Sequence, residues 1–334
     1  MSVSIKDIAR VAQVSPSTVS RALANSARVK PETRTQIQHL ASEMGYFPSQ
    51  VARSLVMQRT RTIGLIATTI TDLFQAEVIQ FVEQTALKHS YSVILAHSGS
   101  ESERELAELQ VLRERRVDGI ILVSARADPT CVSALRGVGM PIILINNVRN
   151  DEYVGSVRVD NRGGSRQATE HLLELGHRRI AYISGPSTEW DNVERQKGYE
   201  QALLSYGLSP DPALIAPGDS RPRGGMESME KLLALSHPPT AVFCYNDASA
   251  LGALRAAHAA GLRVPQDLSV VGFDNIDLAA HFEPPLTTIA QPMQDMGQKA
   301  VEMILDLLAG AQAPEDCVLP GHLIVRESTM PPRP

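Results

Sequence analysis

From Thr62 onward, short runs of β-branched and aliphatic residues alternate with stretches of helical periodicity, and few folds accept that alternation. The strand candidates are Ile63–Ala67, Ser92–Ala96, Gly119–Val123, Pro141–Ile145, Ile180–Ser184, Thr240–Cys244 and Leu268–Gly272. They are mostly continuous apolar runs rather than alternating ones. Both faces of such a strand are buried, as in a parallel sheet covered by helices on either side. The intervening segments are amphipathic: Asn161–Leu175 sets Gly164, Ala168, Leu172 and Leu175 on one face. About 270 residues of this pattern are too many for one ordinary domain, so two doubly wound lobes are expected.

The first sixty residues read differently. Ser4 and Asp7 resemble an N-cap with an acid in the first turn, ahead of Ile5, Ile8, Ala9 and Ala12 on one face. Gln13 and Val14 break that pattern. Ser15 and Pro16 restart it, Ser as N-cap and Pro at the first helical position. A second helix over about Pro16 to Ala24 turns Val19 and Leu23 inward, leaving Ser17, Thr18, Ser20 and Arg21 outward. Pro31 opens a third helix, in which Ile37, Leu40, Ala41 and Met44 can close a three-helix core before Gly45. Two short helices with a tight turn, the second showing hydroxyls and an Arg, form a helix-turn-helix. Short side chains let such a helix sit deep in the major groove, where Arg21 can reach a base edge and hydroxyls meet phosphates. Charge agrees: residues 1–61 hold nine Lys/Arg and three Asp/Glu, a basic head in a chain of net charge −5.

Other classes find little support. The composition, 43% hydrophobic and 21% charged, is that of a globular protein. No apolar run approaches the roughly 20 residues that span a bilayer, so no membrane partner is expected. The N-terminus lacks a secretory pattern, and Cys131, Cys244 and Cys317 are scattered and odd in number, which together suit the cytoplasm. There is no G-x-G-x-x-G after the first strand, no P-loop, no G-x-S-x-G elbow and no His cluster. No catalytic residue, metal or cofactor is therefore expected.

Four segments carry a family resemblance: Ile5–Ala12 (IKDIARVA), Val14–Leu23 (VSPSTVSRAL), Pro31–Arg34 (PETR) and Met44–Leu55 (MGYFPSQVARSL). Together they resemble the lactose-repressor/galactose-repressor (LacI/GalR) family, and the likeness runs through the chain, especially toward purine- and ribose-type repressors. Ala24 and Asn25 depart from the Asn-Gly common there.

The resemblance implies an all-α helix-turn-helix head plus an α/β periplasmic-binding-protein-like body of two doubly wound parallel-sheet lobes. It divides the chain into a head (1–47), a hinge helix and linker (48–61), a first lobe (62–161 with 291–319) and a second (162–290 with 320–330). DNA contacts are then expected from Ser15, Pro16, Ser17, Thr18, Ser20, Arg21, Arg28 and Arg34, and from Val51, Ala52 and Leu55 of the hinge. Leu55 is expected to pry open a base step from the minor groove. So short a hinge helix is marginal alone and should order only as a pair on DNA. The chain ends at Pro334 without a further heptad helix, so the tetramer-forming tail of some relatives is not expected.

Polar residues just past strands are effector candidates, since ligands of parallel sheets bind at the strands' carboxyl ends. Arg195, Asn246, Asp274 and Gln291 match family effector contacts, and Phe74 an aromatic wall. Asn146 follows a strand directly. Trp190, in the loop leading to Arg195, offers a stacking face where Gly218, Asp219 and Ser220 lack the aromatic of some relatives. Asp247 is equally well placed to cap the next helix. Simple-sugar binders often have Asp-Arg at Asn146-Asn147, and Arg221 and Arg223 nearby hint at an acidic ligand such as a sugar acid.

The reading is a DNA-binding regulator, most simply a repressor, controlled by a small-molecule effector of carbohydrate type. One head makes too few contacts for tight binding, so a homodimer on a palindromic operator is expected. Two rivals are a sensory protein with a vestigial head and a DNA-tethered enzyme.

Overall fold

The computed structural model describes residues 3–23, 25–46, 59–99, 101–123, 140–147, 154–187, 189–312 and 316–333. The chain divides into two units, residues 1–60 and 61–334. Val51, Ala52 and Leu55, expected in a hinge, and also Ala24 and Cys131, lie outside the described residues.

The head is built from α1 (Ile5–Val11), α2 (Pro16–Leu23) and α3 (Pro31–Glu43). The Asp7 carboxylate accepts from the Ser4 amide at 3.1 Å and the Ser4 hydroxyl at 2.6 Å, which satisfies a free donor ahead of α1. Gln13 takes φ 52°, the left-handed step that turns α1 into α2. Ser15 Oγ then accepts the Thr18 amide at 3.1 Å, with Pro16 at the first helical position. Ile8, Ala9, Val19, Ala22, Val29, Ile37 and Ala41 form the core. Leu23, expected inside, is only partly buried, because α2 buries the 19/22 pair instead. Gly45, at φ 65°, ends α3.

The body begins with β1 (Thr62–Ala67), α4 (Leu73–Lys88), β2 (Ser92–His97), α5 (Ser102–Glu114), β3 (Gly119–Val123), β4 (Ile142–Ile145) and β5 (Val154–Val159). It continues with α6 (Asn161–Glu174), β6 (Ile180–Ser184), α7 (Trp190–Ser205), β7 (Ile215–Pro217), α8 (Pro222–Leu233), β8 (Ala241–Cys244), α9 (Asp247–Ala259) and β9 (Ser269–Asp274). Last come β10 (Thr287–Ala290), α10 (Met293–Leu308), β11 (Cys317–Leu319) and β12 (His322–Ile324).

These strands make two six-stranded sheets, ordered β2-β1-β3-β4-β5-β11 and β7-β6-β8-β9-β10-β12. The two sheets share one strand order. Every pairing is parallel except β12, which runs antiparallel to β10. The central strands β3, β4, β6, β8 and β9 are buried along their whole length, as apolar runs between two helical layers must be. The chain passes between sheets three times: after β5, after β10 and between β11 and β12. The first and third crossings lie side by side, joined by the Asp160 amide donating to the Leu319 carbonyl at 2.8 Å.

All seven strand candidates appear, with ends shifted by at most two residues. β9 runs on to Asp274, so that residue ends a strand rather than following one. β5, β7, β10, β11 and β12 carried no sufficient signal. Among the described residues no helix is long and apolar enough to cross a membrane.

Candidate functional site

In an order of 2-1-3-4-5 type the crossover direction reverses beside the first strand, which opens a crevice at the carboxyl ends. In the second sheet that point lies between β6 and β8. Gly185, just past β6, has no room for a side chain: a Cβ there would sit 2.7 Å from the Tyr245 ring. Tyr245 can therefore lie across the strand ends, its hydroxyl donating to Asp191 Oδ2 at 2.6 Å.

Arg195, on α7, is the centre of the site, with a side chain only 2% exposed. Its Nε donates to Asn161 Oδ1 at 2.8 Å and its Nη1 to the Tyr245 carbonyl. Asp191 stands at 3.7 Å and Asp274 at 3.9 Å. The guanidinium carbon lies 3.7 Å from the Phe273 ring centroid and 4.5 Å from that of Tyr245. A buried charge persists only when paired and hydrogen-bonded, and here it is both. Burial opposes the charge, but Tyr245, Asp191 and Asp274 outweigh it and raise the Arg195 pKa.

A second chain of bonds joins the lobes. Asn146, just past β4 at φ 54°, donates to Gln291 Oε1 at 3.2 Å. Gln291, just past β10, donates from Nε2 to Asp274 Oδ1 at 2.7 Å. Asp274 holds φ 124°, a conformation L-residues rarely adopt, which places local strain at this position. Burial pushes its carboxyl well above the usual range, Asp247 and Asp72 add to the shift, and Arg195 opposes it. The same side chain thus bridges the arginine cluster and the inter-lobe chain.

Four of the seven expected effector residues gather at this junction. Asn146, Gln291, Asp274 and Arg195 are bonded in sequence or paired. Phe74, near the start of α4, is buried in a hydrophobic core cluster. Asn246 stands apart from those bonds: it caps α9, accepting the Ser249 amide at 2.8 Å and donating to the Ser220 carbonyl at 3.0 Å. The cap is therefore Asn246 and not Asp247. Asp247 instead accepts the Thr288 hydroxyl at 2.5 Å and the Ile276 amide at 3.0 Å, and burial pushes its pKa up to about 7. Trp190 is the first residue of α7, not a loop residue, and the Arg158 guanidinium lies 5.2 Å from its ring centroid.

Sequence reasoning missed Asp72, Asn161, Asp191 and Tyr245. Asp72 precedes α4 and accepts the Gln75 amide at 3.0 Å, a capping position legible in the sequence. Asp191 lies four residues before Arg195, the helical spacing that could have found it.

On the head, Ser15, Pro16, Ser17, Ser20, Arg21 and Arg28 are exposed, with Thr18 and Arg34 half-buried. The Ser15 hydroxyl meets those of Ser17 and Thr18, each at 2.8 Å. The outward face of α2 is thus a patch of exchangeable hydrogen bonds beside an exposed guanidinium, suited to phosphates and base edges.

Comparison with known proteins agrees with both units. Residues 4–49 match the model of bacterial regulatory proteins of the lacI family, and residues 169–329 a periplasmic binding protein-like domain. The chain is 38% identical to the transcriptional repressor CytR of Escherichia coli K12, over 97% of this chain and 96% of that one. Among solved structures, the regulator CelR with cellobiose superposes with TM-score 0.76 at 34% identity, covering 98% of this chain and 99% of that one. The lac repressor dimer on its operator with the anti-inducer ONPF gives TM-score 0.91 at 28% identity, covering 99% and 100%. The chain belongs to the LacI family of bacterial regulatory proteins. It is a DNA-binding transcription regulator controlled by a small molecule.

Proposed function

We propose that the chain acts as an operator-specific repressor whose paired bodies report a carbohydrate-type effector to paired heads. The observation that carries this is the joining, in one chain, of an exposed hydroxyl-and-arginine face on α2 with a buried polar bridge between two lobes.

In this reading Arg21 reads a base edge, guanine being the best match for its fork. Ser15, Pro16, Ser17, Thr18, Ser20, Arg28 and Arg34 set the helix against phosphates and neighbouring bases. Val51, Ala52 and Leu55 form the contact of a hinge that pairs on the duplex, Leu55 wedging a base step. The functional divisions are 1–47, 48–61, 62–161 with 291–319, and 162–290 with 320–330.

The effector occupies the junction beside Phe74, Asn146, Trp190, Arg195, Asn246, Asp274 and Gln291. The CelR complex with cellobiose and the lac repressor complex with operator support a saccharide in the body and a palindromic duplex under the heads. Binding alters how Asn146, Gln291 and Asp274 join the lobes, and through that the spacing of two hinges. The site binds without turnover, because Arg195 and Asp274 are held by their neighbours rather than poised toward a reacting atom. A regulator of this kind works where its DNA is, in the cytoplasm.

A gel shift on a palindromic duplex tests the reading. Retardation at low salt, relieved or enhanced by a sugar that raises the melting temperature, is expected. No retardation by the intact chain would return the vestigial-head reading.

A further inference from the structure

The body concentrates positive charge at the edge where the chain enters it. β1, β2 and β3 run parallel, so their amino ends share one edge of the first sheet. Arg61 stands immediately ahead of β1. Its carbonyl accepts the Ser92 amide at 2.9 Å, and its amide donates to Asp118 Oδ2 at 2.8 Å. Lys88 ends α4 ahead of β2, and Arg113, Arg115 and Arg116 lie at the end of α5, ahead of β3. All of these residues are exposed. Among the described residues, Arg61, Lys88, Arg113 and Arg115 form no side-chain ion pair. The acids beside them, Glu83, Glu114 and Asp118, leave an excess of positive charge. That excess stands on an otherwise acidic body, in a chain of net charge −5 with a basic head.

Helix ends favour cations, which accounts for Lys88 and Arg113. It does not account for Arg61 and Arg116, which hold φ 52° and 56°. That left-handed backbone suits Gly or Asn, and a long side chain there is uncommon. Arginine at two such positions points to a use for the charge. The use is not effector binding. The polar junction lies at the strands' carboxyl ends, and a strand of six residues sets the two edges about 20 Å apart. The chain from Tyr46 to Arg61 spans at most about 50 Å when fully extended. A duplex held by the head therefore stays within reach of this edge, and exposed guanidiniums match phosphate. Resting on DNA binding by the head, we propose that this edge is a second DNA contact. Arg113, Arg115 and Arg116, with Arg61 and Lys88, meet backbone phosphates of the duplex whose bases the head reads. The contact adds affinity and salt dependence but no sequence preference.

Operator affinity of the full chain is measured by fluorescence anisotropy from about 50 to 200 mM salt. The unaltered chain is compared with Arg113→Gln/Arg115→Gln and with the charge-keeping Arg113→Lys/Arg115→Lys. A third variant, Lys231→Gln/Arg255→Gln, removes the same charge from exposed positions of the second lobe. Glutamine and lysine are good helix formers, so the end of α5 is kept. Arg113→Gln/Arg115→Gln should reduce the slope of log affinity against log salt by about two. It should weaken cognate and random duplex alike, on the order of tenfold at about 0.1 M salt. The lysine pair and the second-lobe pair should keep the slope of the unaltered chain. An unchanged slope in Arg113→Gln/Arg115→Gln overturns the proposal. So does an equal fall in the second-lobe pair, which would make the effect one of net charge. If the unaltered chain binds no duplex, the DNA reading itself fails; if it binds and the slopes agree, only this contact does.

Discussion

The head and the body keep their functional side chains in opposite surroundings. On the head they are exposed hydroxyls and an exposed Arg21, resting on a core of seven small or aliphatic residues. In the body the key cation is buried, and its partners come from Asn161, Asp191, Tyr245 and Asp274. The head's residues can change partner at little cost, as a surface that trades water for phosphate requires. The body's residues cannot, because an unpaired charge at that depth is expensive. One surface can exchange partners freely, while the other holds a single arrangement.

The sharpest way to break this contrast is Arg195→Met. It strands Asp191, Asp274 and the Asn161 amide without their charge partner, and a loss of about 3–5 kcal/mol is expected. Chemical denaturation of the body measures it; a change below about 1 kcal/mol would mean the cluster is not a buried network. Next is Ile37→Ala in the head, whose side chain is fully buried. It should cost about 2–5 kcal/mol, enough to unfold so small a core and abolish operator binding, while the body's melting transition stays in place. By contrast, Arg21→Ala should leave both transitions unchanged and weaken cognate DNA by about 1–3 kcal/mol with relaxed specificity. Equal loss on cognate and random duplex would assign Arg21 to phosphate instead.

The mildest effect is one of pH. His177 accepts or donates to Thr240 Oγ1 at 2.8 Å and reaches the Met330 carbonyl at 3.0 Å, tying the C-terminal segment to the second lobe. Burial lowers its pKa below 6.5, so the folded state resists protonation that the unfolded chain accepts. Its contribution is complete above pH 6.5 and lost as pH falls toward the lowered value. The melting-temperature gap between the unaltered chain and His177→Gln should narrow from pH 7 to pH 5. Taking a difference cancels Asp247, whose raised pKa acts in the opposite direction.

How legible each region was follows from the same contrast. The head's signals are local: Ser4 with Asp7, Ser15 with Thr18, Pro16 and Gly45 all act within one or two turns. Seven strands were legible because a run such as Ile120, Ile121 and Leu122 fits only a doubly covered sheet. β5 was hidden by Gly155, Ser156 and Arg158, and β10 by Thr287 and Thr288, polar residues interrupting the apolar run. β7, β11 and β12 are three residues each, too short for periodicity to register. At the site, Asn146 and Gln291 stand 145 residues apart, so their bond is a product of the crossing chain and not of any motif. Trp190 was misplaced because α7 starts at that residue, ahead of Arg195, with no Pro or side-chain cap bond to mark its start.

The central claim is that a ligand at the buried junction is felt by the exposed head. Anisotropy titration of a palindromic operator by the full chain, with and without a ligand that raises the body's melting temperature, tests it directly. A change in operator affinity of roughly 5- to 150-fold is expected, the usual range of coupling between sites. Identical affinity in the two titrations, with the ligand demonstrably bound, would contradict the account.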